Sequence, residues 1–216
     1  MKKFAIILAG SGVYDGAEIH EATLSMLAIM AQGCSYQCFA PDIKQHHVIN
    51  HLSGEEMDEN RNVLVESARI ARGNVKNITE FKATDFDVLL MPGGFGVAKN
   101  LCDFAFKGAN CEVNAEVARV IKQMHQAKKP IGALCISPVV VSKVLGDVKL
   151  TLGQDQEAID NVEKMGSRHI KTNHGEVIVD EKNKIFTTPC YMLDANILEI
   201  NDGTTNIVKA ILESLE

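Results

Sequence analysis

The sequence predicts an α/β fold, a largely parallel sheet with helices on both faces. Segments of strand character alternate along the chain with segments of helical periodicity, the pattern of β-α-β units. Val88 to Met91 and Ile131 to Leu134 are apolar throughout, as strands covered on both faces are. The chain has 216 residues, 46% of them hydrophobic, enough for one sizeable core, so one domain over residues 1–216 is expected.

Met1-Lys2-Lys3 and the apolar run after it imitate a signal peptide, but the run ends at Ala9 and acidic Asp15 and Glu18 follow. Phe4 to Ala9 therefore reads as the first strand. Ile19, Ala22, Met26, Leu27 and Met30 fall at helical spacing between Ala17 and Gln32, and Gly33 closes that helix. Tyr36 to Ala40 is a second strand, stopped by Pro41-Asp42. Ile43 to Glu59 is polar and irregular. Asn62 to Arg72 reads as a helix ended by Gly73. Val88 to Met91 is a buried strand running into Pro92-Gly93-Gly94-Phe95-Gly96, and Cys102 to Asn110 reads as a surface loop.

Val113, Val117, Val120, Ile121 and Met124 mark a further amphipathic helix. The strand Ile131 to Leu134 follows, then a helix to Leu145. Lys149 to Leu152 is a strand and Gln156 to Met165 a helix closed by Gly166. Glu176 to Asp180 and Lys184 to Thr188 form a late β-hairpin around Glu181-Lys182-Asn183. A last helix spans Thr204 to Leu215.

The formal net charge is -6 and no basic cluster exceeds Lys128-Lys129, which argues against nucleic acid and anionic membrane as partners. Aromatic residues are 5% with no tryptophan, so stacking platforms for single strands are not expected either. No apolar run nears the ~18 residues of a membrane span. Six cysteines are scattered without a C-x-x-C pair, which fits a reducing cytoplasm. His46, His47 and His51 lack a completing cysteine or acid, so no metal and no cofactor is expected.

Chemistry concentrates where three loops leave the carboxyl ends of predicted strands, the usual place for a site in an open α/β sheet. In Ala133-Leu134-Cys135-Ile136-Ser137-Pro138 a strand turns at Cys135 straight into a helix, with Pro138 in its first turn. Such an elbow needs small residues two before and two after, here Ala133 and Ser137. The adjoining helix end is expected to lower the thiol pKa. The alternative is an ordinary buried cysteine. Glu18 stands at a helix N-terminus, either as a functional acid or as an ordinary first-turn carboxylate. Gly93 and Gly94, with the N–H of Ile136, could hold an oxyanion, or the glycines could simply serve a tight turn.

The first loop, Ala9-Gly10-Ser11-Gly12-Val13-Tyr14-Asp15-Gly16-Ala17-Glu18-Ile19-His20-Glu21, the segment Met91 to Leu101 and the Cys135 elbow together resemble the ElbB family. That is the enhancing-lycopene-biosynthesis, glyoxalase-like branch of the PfpI and class I glutamine-amidotransferase-like superfamily. The resemblance extends to Val48-Ile49-Asn50-His51-Leu52 and to Thr187-Thr188-Pro189, essentially the whole chain. It implies a flavodoxin-like three-layer sandwich, a Cys135 nucleophile with Glu18 hydrogen-bonded to its sulfur, and a homodimer. The implied activity converts a small 2-oxoaldehyde such as glyoxal to a 2-hydroxy acid without glutathione.

In that chemistry the thiolate adds to the aldehyde and Glu18 moves the proton between carbons. Burial and the nearby sulfur are expected to raise the Glu18 pKa against the helix-end effect. Asp15 and His20 are further candidates for substrate binding, although His20 could equally be a helix-surface residue. Many relatives carry histidine after the cysteine. Here Ile136 stands there, so peptidase chemistry is disfavoured.

Three other readings compete. Gly10-Ser11-Gly12 with Asp42 could open a dinucleotide site, but Asp15 stands where that fingerprint needs a small residue. His174-Gly175-Glu176 has the H-x-E form of a glutaminase, though it precedes the late hairpin rather than following a final strand. A thiol-based stress sensor or binding protein with little turnover would use a low-pKa Cys135 that oxidises readily.

Overall fold

The structure, a computed structural model, describes residues 1–215. Its strands are β1 (Lys3–Ile7), β2 (Ser35–Ala40), β3 (Val75–Asn77), β4 (Val88–Met91), β5 (Ile131–Leu134), β6 (Lys149–Leu150), β7 (Arg168–His169), β8 (Ile178–Asp180) and β9 (Ile185–Thr188). Its helices are α1 (Ile19–Ala31), α2 (Val63–Ile70), α3 (Phe104–Lys107), α4 (Ala115–Gln126), α5 (Pro138–Leu145), α6 (Gln156–Lys164) and α7 (Ile197–Glu213). Seven strands form one sheet in the order β3-β2-β1-β4-β5-β9-β8. All its neighbours are parallel except β8 and β9, the predicted late hairpin. β6 and β7 make a separate two-stranded parallel ribbon.

The chain steps from β1 one way to β2 and β3, then returns to β4 on the other side of β1. Right-handed crossovers in opposite directions put α1 and α4 on opposite faces of the sheet. α1 accordingly packs along α7, and α4 beside α5. The uniform burial of β4, β5 and β9 follows from these two covering layers. This is the flavodoxin-like α/β architecture. Because β1, β4 and β5 are adjacent, their carboxyl-end loops share one crevice at the point where the strand order reverses.

The elements depart from the sequence reading in five places. β3 and β7 have three and two residues, too short for a periodicity to show. Lys149 to Leu152 is a strand only to Leu150. The segment 102–110 is a short helix within a hairpin closed by the antiparallel bridge of Cys102 with Val113, rather than an open loop.

The last helix begins at Ile197, seven residues before the predicted Thr204, because Asn196 caps it. The Asn196 Oδ1 accepts from the N–H groups of Leu198 at 2.9 Å and Glu199 at 3.2 Å, while Glu199 Oε2 accepts from the Asn196 N–H at 2.8 Å. Such reciprocal capping satisfies otherwise orphaned helix donors. Asn196→Ala is expected to lower stability by about 1 kcal/mol, read as a lower urea midpoint at unchanged slope. An unchanged midpoint would show that the cap contributes nothing.

Candidate functional site

Cys135 stands between β5 and α5 with φ of +56°, left-handed backbone that side chains other than glycine rarely adopt. Three contacts hold it there. Its N–H donates to Thr188 O at 3.1 Å, the Ser137 N–H to Leu134 O at 2.9 Å, and Ser137 Oγ to Pro92 O at 2.6 Å. The third explains why a small hydroxyl residue follows the cysteine by two. Strain held by such surroundings concentrates at functional sites. The residue is 7% exposed, so its sulfur is enclosed but still faces the cavity described below.

The loops after β1 and β4 interlock beside it. The Glu18 N–H donates to Gly93 O, the Phe95 N–H to Val13 O and the Gly96 N–H to Gly16 O, at 2.8 to 2.9 Å. A Cβ on Gly93 would overlap Cys135 Cβ and lie 2.9 Å from its sulfur. Gly94 has φ of +99°, and a Cβ there would collide with the Glu18 backbone nitrogen. The glycines thus let three backbones meet within contact distance.

The side chain at the sulfur is Glu21, not Glu18. Glu21 projects inward from the first turn of α1, is completely buried, and hydrogen-bonds with the Cys135 thiol. Its Oε2 accepts from the Gly93 N–H at 2.8 Å and its Oε1 from the Tyr191 N–H at 3.3 Å. Glu18 is the N-cap of α1: its Oε2 accepts from the Glu21 N–H at 2.7 Å. It lines the cavity wall, but its place is set by the helix end.

The electrostatics move to Glu21 as well. Burial, reinforced by the neighbouring Glu18 charge, raises its carboxyl to about 7, against the N–H groups of Gly93 and Tyr191 and the thiol, which pull down. The lowered thiol pKa expected from the helix end is not found. Burial pushes Cys135 well above the ordinary thiol range, and the Glu21 charge adds to this. The N–H groups of Gly94 and Ile136, both pointing at the sulfur, oppose it only in part. A desolvated sulfur beside a carboxylate outweighs the first turn of one helix.

Of the predicted oxyanion donors, then, Gly94 and Ile136 aim their N–H groups at the sulfur. The Gly93 N–H is spent on Glu21. Asp15 is structural: its Oδ2 accepts from the Ile49 N–H at 2.7 Å and pins the irregular 43–59 segment, and it does not line the cavity. His20 lies at the edge, hydrogen-bonded through Nδ1 to Tyr191 Oη at 2.8 Å, and Tyr191 lines the cavity. Cys190, given no role from sequence, is buried behind Glu21 at φ of +44°, and burial pushes its thiol up. His174 faces Glu199 across 3.9 Å rather than the thiol, so the glutaminase pairing does not form.

The cavity has a volume of about 510 Å³. Cys135, Gly94 and Ile136 form its base, and Phe95, Phe104 and Tyr191 are among its walls. Glu18, Asp155 and Glu157 also line it, and among the described residues no lysine or arginine does. The Gly10-Ser11-Gly12 turn closes on its own loop, the Gly16 N–H donating to Gly12 O at 2.7 Å. The Gly12 N–H donates to Ala17 O, and the Glu18 carboxylate occupies the helix end where a pyrophosphate would sit, which removes the dinucleotide reading.

No family model matches the chain. It is 45% identical to the rat ES1 protein homolog, mitochondrial, over 98% of this chain and 83% of that protein. It is 44% identical to the human glutamine amidotransferase-like class 1 domain-containing protein 3, mitochondrial, over 98% of this chain and 82% of that one. A crystal structure of an isoprenoid biosynthesis protein with amidotransferase-like domain from Ehrlichia chaffeensis superposes with a TM-score of 0.93 at 38% identity, covering 100% of both chains. Glyoxalase III from Candida albicans shares the fold, with a TM-score of 0.64 at 14% identity over 100% of this chain and 98% of that one. A strained cysteine elbow, a buried acid from the first loop and this level of identity along the whole chain lead to one assignment: the chain belongs to the ES1 family of class I glutamine amidotransferase-like proteins.

Proposed function

We propose that this chain is a glutathione-independent, glyoxalase-like enzyme that converts a small 2-oxoaldehyde to a 2-hydroxy acid on Cys135. The observation that carries the reading is the pairing of a buried thiol with a buried carboxyl that titrates near neutrality, at the base of an open cavity. Near pH 7 such a carboxyl takes up and releases protons with little cost in either direction.

Ionised Glu21 accepts the proton of Cys135 as the sulfur bonds to the aldehyde carbon, giving a hemithioacetal. The N–H groups of Gly94 and Ile136 stabilise negative charge on the sulfur as that proton leaves. Glu21 then returns its proton to the oxygen, removes the hydrogen on the sulfur-bearing carbon as a proton and delivers it to the second carbon, while the hydroxyl proton of the first carbon passes to the oxygen of the second. The result is a thioester of the hydroxy acid. The first carbon is oxidised and the second reduced, so no external oxidant or cofactor is required. Water cleaves the thioester and restores the thiol.

The cavity is far larger than glyoxal and offers three carboxylates but no positive side chain, which favours a neutral aldehyde over a phosphorylated or carboxylated one. The sensor reading needs a low-pKa thiol, whereas burial pushes this one up. Cys135→Ser is expected to abolish glyoxal turnover, measured as glycolate formed without glutathione. A rate equal to that of the unaltered protein would end the proposal.

All six cysteines are free, which suits a reducing compartment; we propose the cytoplasm. No helix among the described residues is long and apolar enough to cross a membrane. A fluorescent fusion found only in an oxidising compartment would overturn that placement.

A further inference from the structure

A second pair of thiols lies outside this mechanism. Cys102 closes one side of the hairpin that carries α3, and Cys111 closes the other. Residue 102 bridges residue 113 in antiparallel fashion, the Asp103 N–H donates to Glu112 O at 3.2 Å and the Asn114 N–H to Leu101 O at 2.9 Å. Cys111 is two residues from Val113, so it is the diagonal neighbour of Cys102 on the same side of the hairpin. Each thiol is the leading electrostatic influence on the other, and the Cys102 Sγ–H donates to Val97 O at 3.3 Å. Both are buried, at 5% and 1% exposure. The eight residues between them include Phe104, Ala105, Phe106 and Gly108, which line the cavity over Cys135.

We propose that Cys102 and Cys111 are a peroxide-oxidisable dithiol whose disulfide clamps this wall of the cavity. The chemistry separates the roles of the two sulfurs. The neighbouring Cys102 side chain draws the Cys111 thiol below its ordinary range against the effect of burial, and the Lys143 charge adds to the lowering. Lys143 is held in place by donating to Ala109 O at 2.9 Å. Cys111 is therefore the attacking sulfur. It breaks the O–O bond of hydrogen peroxide, forming a sulfenic acid and one water. The Cys102 thiol then displaces that hydroxyl, forming the S–S bond and the second water. Two electrons leave the thiols and reduce one peroxide. The enclosed position selects a small oxidant over a bulky disulfide such as oxidised glutathione. The disulfide would tie the two stems of the α3 hairpin and restrict the wall that Phe104 and Phe106 supply.

The test uses the full chain carrying Cys135→Ser, so that its active sulfur does not intrude. After stoichiometric hydrogen peroxide and alkylation of free thiols, trypsin under non-reducing conditions is expected to leave peptides 100–107 and 108–119 joined. Their summed mass should be two hydrogens below that of the free pair. Amide exchange across residues 103–110 is expected to slow at least tenfold in the oxidised form and to recover on reduction. Adding Cys111→Ser should remove the linkage while circular dichroism shows the fold retained. Free peptides with both thiols still alkylated, or a singly over-oxidised cysteine without linkage, would overturn the dithiol. A linked pair with unchanged exchange would overturn the clamp.

Discussion

Glu21→Gln is expected to lower aldehyde turnover at least about a hundredfold, the lower end of what a positioned acid–base group contributes. Glutamine keeps the shape, and its carbonyl can still accept from the N–H of Gly93, but it cannot take the thiol proton. Glu18→Gln should retain turnover within a few-fold, since its carbonyl can still cap α1 through the Glu21 N–H. Steady-state glyoxal kinetics on the two variants separate the acids. A severe loss with Glu18→Gln and none with Glu21→Gln would reverse the assignment.

The same substitution should make the protein more stable at alkaline pH. The Glu21 carboxyl rises from 4.5 to about 7 on folding. Above pH 4.5 the unfolded chain therefore holds fewer protons than the folded one, and stability falls as pH rises toward 7. At ~1.4 kcal/mol per unit, the buried charge costs about 3 kcal/mol once both states are ionised. Relative to the unaltered chain, Glu21→Gln should gain part of that at pH 8 and little at pH 4. Urea denaturation at the two pH values reads the difference. A gain of stability with a loss of turnover is the signature of a residue kept for chemistry rather than for folding.

Gly93→Ala is expected to be the most damaging single-methyl change in the site. Its Cβ would overlap the Cys135 Cβ, lie 2.9 Å from the sulfur and 2.8 Å from Glu21 Oε2. Both side chains and the backbone between them are held by hydrogen bonds, so none can yield without breaking one. Overpacking of a rigid core costs roughly 1–3 kcal/mol and can exceed it. Displacing the sulfur from the acid should also remove turnover. Chemical denaturation together with glyoxal kinetics checks both. A variant of normal stability and activity would mean the three loops are not in contact as described.

The parallel sheet, the late hairpin and the Cys135 elbow were legible because each has a local cause: an apolar run, a polar turn, a proline after a cysteine. The convergence of the first, Gly93 and Cys135 loops was legible from strand alternation, and the order β1-β4-β5 realises it. Which carboxylate packs against the sulfur was not. Glu18 drew attention as the helix-starting carboxylate, and that position makes it a cap. The periodicity misled here as well: Ile19, Leu27 and Met30, three of the five apolar positions that marked α1, are exposed, and the buried face instead carries Glu21 with Ala22, Ser25, Met26 and Ile29. A carboxylate on an apolar stripe needs a partner, and here it finds two N–H groups and a thiol.

The raised thiol was illegible because desolvation depends on what the fold packs around a sulfur, while the helix-end effect can be read locally. The early start of α7 depended on one asparagine whose capping role competes with turn formation.

The central claim is that Glu21 holds a proton near neutrality for Cys135. It is tested most directly by following the side-chain carboxyl carbon of Glu21 by 13C NMR across pH 4 to 9, assigned by its loss in Glu21→Gln. A midpoint near 7 is the predicted result. A midpoint in the ordinary carboxylate range, near 4.5, would contradict it.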